Sequence, residues 1–188
     1  MNLPNRLTFA RILLIPFFVA FLLWENGPHH ALIALLIFAV ASLTDMLDGK
    51  IARKYNMITD FGKFMDPIAD KLLICAAYTV FVQLGICSAW VVILILAREF
   101  AVTSLRMIAA GSGKVIAANY WGKVKTASQM AVTILVLILM EVGSWSVLPP
   151  NFPSAIICSV LIWISVVLTV VSGAVYLVQN KKFFDSSK

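Results

Sequence analysis

Six apolar stretches, at about 7–24, 31–52, 66–85, 89–110, 122–142 and 154–179, take up most of this chain, each near the roughly 20 residues needed to carry an α-helix across a bilayer. In hydrocarbon every backbone N–H and C=O must be satisfied within the segment itself, so stretches of this kind resolve as helices. Of the 188 residues, 61% are hydrophobic and 13% charged, against about 45–50% and 25% in soluble domains. A water-facing surface cannot be assembled from that mixture. It excludes a soluble enzyme, a disordered tail and a DNA-binding domain, so the net charge of +6 is not a sign of nucleic acid. The expected fold is one all-α integral membrane domain over residues 1–188, with six transmembrane helices and short loops.

The breakers between stretches are Gly27-Pro28, Gly85, Gly111-Ser112-Gly113 and Pro149-Pro150 with Pro153. The first, third and fifth connections contain no Lys or Arg. Arg6 and Arg11 mark the N-terminus, Lys50, Arg53, Lys54 and Lys63 the second connection and its flanks, Lys114, Lys123 and Lys125 the fourth, and Lys181, Lys182 and Lys188 the C-terminus. Basic residues stay on the cytoplasmic side, which places both termini there in a multi-pass protein of the cell membrane. The first stretch lacks a small-residue cleavage site and is read as a retained span. Cys75, Cys87 and Cys158 show no metal-ligand spacing and are read as apolar packing residues.

Several charges fall inside the spans: Asp45, Asp48, Asp66, Asp70, Lys71, Arg98, Glu99 and Arg106. A charge near the bilayer centre costs about 2.5–3.5 kcal/mol on insertion scales, so these groups must be paired, hydrated or ligated. The acids are clustered. Asp45 and Asp48 share a face three residues apart at the inner end of the second helix, and Asp66 and Asp70 share one four apart at the inner end of the third. The short connection keeps those ends together, so four carboxylates converge and repel unless cations intervene. All-oxygen ligation favours Mg²⁺, Mn²⁺ or Ca²⁺ over Zn²⁺. Gly49, Ala52 and Gly62 remove bulk around this volume, and Arg53 offers a donor fork suited to phosphate. Pro67 leaves two arrangements open: Asp66 caps a helix that starts at Pro67, or a longer helix is kinked there.

The run Asp45-x2-Asp48-Gly49-x2-Ala52-Arg53-x8-Gly62-x3-Asp66-x3-Asp70 resembles the signature of the CDP-alcohol phosphatidyltransferases, with every fixed position filled. The resemblance implies an enzyme of phospholipid synthesis that transfers a phosphatidyl group from a CDP-linked lipid to an alcohol and releases CMP. It implies two divalent metal ions, Mg²⁺ or Mn²⁺, on Asp45, Asp48, Asp66 and Asp70, with Asp70 also the base that takes the acceptor's proton. Thr8, Arg11, Asp48, Gly49, Arg53 and Thr59 would line the CDP-lipid pocket, although Thr8 and Thr59 read equally well as helix-cap hydroxyls. A homodimer is also implied.

Acceptor choice lies outside the shared signature. Arg98-Glu99-Phe-Ala-Val-Thr-Ser-Leu-Arg106, Gly122-Lys-Val-Lys125-Thr126 and Asn5-Arg-Leu-Thr8-Phe-Ala-Arg11 look like the bacterial glycerol-3-phosphate members, the phosphatidylglycerophosphate synthases. Arg98, Arg106 and Lys125 would then bind the acceptor's phosphate, with CDP-diacylglycerol and glycerol-3-phosphate as substrates. Arg98, about 20 Å from the inner end of its helix, reads equally as half of a buried structural pair. Glu99, adjacent in sequence and on another face, reads as a poor partner for it. His29, His30, Glu25 and Glu141 fall near the outer surface and are expected to be interfacial or solvated. The competing readings are a cardiolipin synthase or inositol-phosphate type within the family and, outside it, a divalent-cation transporter, against which the clustering of acids at one face argues.

Overall fold

The computed structural model describes residues 3–24, 26–54, 60–111, 120–145, 149 and 152–181, with backbone only at 3, 4, 46, 48–50, 52–54, 60, 61, 63, 64 and 66. The described residues form six α-helices without a strand: α1 (Leu3–Leu23), α2 (His30–Lys54), α3 (Asp60–Gln83), α4 (Ala89–Gly111), α5 (Tyr120–Ser144) and α6 (Ser154–Gln179). At 1.5 Å per residue they are about 32 to 39 Å long, enough to cross a hydrocarbon layer of about 30 Å. By length and composition together, α1, α5 and α6 qualify as membrane-crossing helices. The apolar part of α2 ends at Asp45, and α4 carries Arg98, Glu99 and Arg106 in its interior, so these helices depart from a purely apolar span at the candidate site residues.

Packing follows the 3.6-residue period. On α2 the buried positions are Ala31, Ala34, Phe38 and Ala41, and Asp45 continues the same row. On α3, Asp70 heads the row that runs on through Ile74, Tyr78 and Phe81. Alanines at 34, 41, 69 and 77 have no exposed surface and let backbones approach closely, as helices do when lipid supplies no hydrophobic drive. Helix α1 packs on α2 and α3, α2 on α5, and α6 on α4 and α5. The shared core gathers Phe18, Leu22, Phe38, Tyr78, Phe81, Ile95, Val136, Leu137 and Ile162.

The outside is as apolar as the inside. Phe9, Leu13 and Phe17 on α1, Leu36 and Leu43 on α2, and Ile156, Val160 and Val167 on α6 are all exposed. The polar groups point inward instead: Ser165, Thr169 and Ser172 of α6, and Gln129 and Thr133 of α5, have no exposed surface. That distribution suits a lipid solvent.

One open alternative is decided at this level, and one expectation changes. Helix α3 starts at Asp60 and runs through Pro67, so Asp66 lies within a longer helix and does not cap one. Glu141 is not solvated: it is 4% exposed and accepts hydrogen bonds from the Leu32 backbone N–H (2.9 Å) and Trp145 Nε1 (2.8 Å), with His29 Nδ1 at 2.7 Å. This clamp joins the start of α2 to the end of α5, at the end of the bundle away from the aspartates. An acid near an apolar end needs donors, and an adjacent indole and a helix N-terminus supply them. All three cysteines are free, and burial pushes the Cys87 thiol, in the α3–α4 turn, up to about 11.

Candidate active site

Between α2, α3, α4 and α5 lies a cavity of about 680 Å³, within the range of about 300–1,000 Å³ usual for small-molecule sites. Asp45 and Asp70 stand on its wall with Arg98, Glu99, Arg106 and Lys125. Counting Lys71 and Lys123, the wall carries five basic side chains against three acids. A cleft so lined attracts anions.

Asp45 is held by Arg11. The Arg11 side chain has no exposed surface; its Nη1 lies 2.6 Å from Asp45 Oδ1 and its Nε donates to the Ala41 carbonyl at 3.2 Å. One guanidinium thus ties α1 to the last part of α2 and orients the carboxylate, a planar-fork task that a lysine would not perform. Thr8, three residues earlier on α1, is also buried. Neither Thr8 nor Arg11 is on the cavity wall; both stand on the α1 side of Asp45.

In the same cavity a buried acid organises the cations. Glu99 is 7% exposed, and its Oε1 lies 2.8 Å from both Arg98 Nη1 and Lys125 Nζ. Lys71 Nζ is 3.9 Å from Glu99 Oε2 and donates to Thr103 Oγ1 at 2.7 Å. The pairing of Arg98 with Glu99 corrects the expectation that Glu99, on another face, would be a poor partner for it. The Arg98 side chain starts against Gly173 of α6, and the reach of two long side chains closes the gap to Glu99. Arg98 Nη2 also donates to Ser172 Oγ at 2.9 Å. Arg106 Nε donates to Tyr176 Oη at 3.0 Å, and its guanidinium carbon lies 5.3 Å from the centroid of that ring. Helix α6, without a residue on the wall, thereby holds both arginines from behind.

The structure therefore brings together Asp45, Asp70, Arg98, Arg106 and Lys125 of the residues expected from sequence. The side chains of Asp48, Gly49, Arg53 and Asp66, and all of Thr59, lie outside the described residues. Among the described residues no group of three His, Cys, Asp or Glu side chains is placed to hold a metal ion. The two aspartates that are described present hard oxygen donors to one cavity, a donor chemistry that fits Mg²⁺ or Mn²⁺.

Sequence reasoning assigned no role to Glu99, Lys71, Gln129, Ser172 or Tyr176. A signal for two of them was present: Ser165, Thr169, Ser172 and Tyr176 recur at helical spacing in an otherwise apolar segment, and such a stripe marks a face turned toward polar neighbours.

Comparison with known proteins bears on this arrangement. The sequence pattern of the family described as CDP-alcohol phosphatidyltransferase matches residues 1–171. The chain is 44% identical over 190 residues to a CDP-diacylglycerol–glycerol-3-phosphate 3-phosphatidyltransferase of Bacillus subtilis (95% of each chain). It is 40% identical to the protein of that name from Rickettsia felis (97% of each chain). To the one from Haemophilus influenzae it is 41% identical over 136 residues, covering 69% of this chain and 71% of the relative.

Proposed function

The chain belongs to the CDP-alcohol phosphatidyltransferase family, and from that premise and the cavity's charges we propose that it moves the phosphatidyl group of CDP-diacylglycerol to glycerol-3-phosphate, giving phosphatidylglycerophosphate and CMP. The observation that carries the acceptor choice is the cation group Arg98, Arg106, Lys125 and Lys71, which lines the same cavity as Asp45 and Asp70. An acceptor with its own phosphate needs such a group; a neutral or lipidic acceptor does not. The names of the Bacillus subtilis and Rickettsia felis relatives support this reading.

The reaction needs three things from the chain. The acceptor's phosphate must be held, which Arg106 and Lys125 do by charge-assisted hydrogen bonds, with Arg98 fixed beside them by Glu99 and Ser172. The acceptor's primary hydroxyl must lose its proton as its oxygen attacks the lipid-bearing phosphorus; Asp70 takes that proton. As the new P–O bond forms, the P–O bond to the CMP phosphate breaks and CMP leaves. The donor's diphosphate must be seated, the role of Asp45, Asp48, Asp66, Gly49 and Arg53, with Thr8, Arg11 and Thr59 on the same side. Divalent ions, Mg²⁺ or Mn²⁺, held by Asp45, Asp48, Asp66 and Asp70, would supply neutralisation of the diphosphate. Arg11 keeps Asp45 in place for this.

The basic residues at the ends of the helices support a site on the cytoplasmic face of a bacterial cell membrane, with both termini on that side. There the donor's acyl chains stay in the bilayer while its headgroup meets a water-soluble acceptor. A dimer would leave the cavity within each protomer, because α2 to α5 of one chain line it.

The test is an acceptor panel. Purified protein in detergent with CDP-diacylglycerol and Mg²⁺ or Mn²⁺ is given labelled glycerol-3-phosphate, phosphatidylglycerol or inositol phosphate, and CMP release and lipid-borne label are measured. Turnover with glycerol-3-phosphate alone is expected. Turnover with another acceptor in its place would reject the acceptor assignment, and ion flux in liposomes without CMP release would reject the enzyme.

A further inference from the structure

The cavity wall includes a buried amide whose chemistry the reaction above leaves unused. Gln129 of α5 has no exposed surface, and neither its Nε2 nor its Oε1 has a hydrogen-bond partner among the described residues. Burying an amide with donor and acceptor both unsatisfied is costly, and folded proteins contain few such groups. Gln129 is one turn along α5 from Lys125, whose ammonium group sits on Glu99. Arg98, on the facing helix, also has its Nε buried without a partner. Unmet hydrogen-bonding capacity thus collects beside the phosphate-binding cations.

We propose that Gln129 binds the secondary hydroxyl of the glycerol-3-phosphate acceptor and sets the enzyme's preference for a glycerol backbone. The inference rests on the function proposed above. Glycerol-3-phosphate presents three polar groups: the phosphate pairs with the cations, the attacking primary hydroxyl faces Asp70, and the secondary hydroxyl stands between them. An amide donates from nitrogen and accepts at oxygen, and a hydroxyl does both in return. A second anion would call for another cation, whereas an uncharged amide among cations suits an uncharged polar group. Sites that hydrogen-bond a substrate hydroxyl reject the analogue lacking it, because their own buried groups are then left unpaired.

The experiment compares glycerol-3-phosphate with 3-hydroxypropyl phosphate, which keeps the phosphate and the attacking hydroxyl but lacks the secondary one. The native enzyme is expected to favour glycerol-3-phosphate by about 10- to 100-fold in kcat/KM. Gln129→Met, similar in length and without hydrogen-bonding groups, is expected to lose about that factor with glycerol-3-phosphate, to stay within about twofold with the deoxy analogue, and to leave the KM for CDP-diacylglycerol unchanged. Equal losses with both acceptors would assign Gln129 to packing and overturn the proposal, as would discrimination that survives the substitution. If the variant does not fold, the native preference decides, since a ratio below about twofold overturns the proposal by itself. Failure of the native enzyme to use glycerol-3-phosphate at all would be a failure of the proposed function, a separate outcome.

Discussion

Gly173→Ala probes how α6 positions the acceptor site without touching it. A Cβ built on Gly173 would lie 2.6 Å from Arg98 Cγ, where ordinary contact begins at 3.4 Å. Arg98 must therefore move by about 0.8 Å at a carbon close to its backbone, where rotation of the guanidinium gives no relief. Pushed away from α6, the guanidinium would draw off Ser172, and that bond would lengthen from 2.9 Å toward about 3.7 Å, beyond useful hydrogen-bond range. Misplacement on the scale of 1 Å costs up to about 100-fold in rate, so kcat/KM for glycerol-3-phosphate should fall about 10- to 100-fold, mainly through KM. Overpacking costs about 1–3 kcal/mol, offset in part by about 0.8–1 kcal/mol of helix propensity gained over glycine. The assay is the initial rate of label transfer with each substrate varied in turn, beside a thermal melt in detergent. Gly143→Ala, where an added Cβ meets nothing within 4 Å, is the control and should behave as the native enzyme. An unchanged acceptor KM in Gly173→Ala, or equal changes for both substrates, would refute the reasoning.

Three further outcomes are expected. Asp70→Asn removes the proton acceptor and should lower kcat about 10²- to 10⁴-fold while the melting and elution behaviour stay native; near-native turnover would take Asp70 out of that role. Arg11→Ala strands Asp45, and because the Asp45 side chain is 38% exposed, water screens part of the loss. The expected cost is about 2 kcal/mol rather than the larger figure for a fully buried pair, read as a lower melting temperature together with reduced activity. Glu141→Ala dismantles the clamp at the far end of the bundle and should cost about 1–3 kcal/mol in stability, with kcat/KM for both substrates within about twofold; selective loss of activity in folded protein would link that end to the site.

The helices, and the meeting of Asp45 and Asp70 at one cavity, were legible from sequence because each depends on local features: apolar runs of bilayer length, and aspartates near the ends of two helices joined by a short connection. Arg98, Arg106 and Lys125 stood out for a related reason, since a charge inside an apolar run has few explanations. The organisation of those cations was not legible. That Glu99 sits between Arg98 and Lys125, and that Ser172 and Tyr176 brace the two arginines, depends on how α6 lies against α4. Such contacts join residues about 70 positions apart, for which a single sequence has no local signal. Helix geometry alone also misjudged Arg98 and Glu99, because long side chains can converge from Cβ atoms that point apart. For Glu141, position near a span end suggested water, but the donors came from His29, Leu32 and Trp145 on two different elements.

The central claim is that one cavity divides the two phosphate groups of the reaction, with the carboxylates of α2 and α3 seating the donor's diphosphate, Asp70 also taking the acceptor's proton, and the cations around Glu99 holding the acceptor's phosphate. Lys125→Ala tests it most directly, since Lys125 is buried on the cation wall and bonds Glu99 at 2.8 Å. With both substrates varied, the KM for glycerol-3-phosphate should rise about tenfold or more, as loss of a charge-assisted bond of about 1.5–3 kcal/mol requires, while that for CDP-diacylglycerol stays within about twofold. A rise in the KM for CDP-diacylglycerol with the acceptor's unchanged would contradict the division.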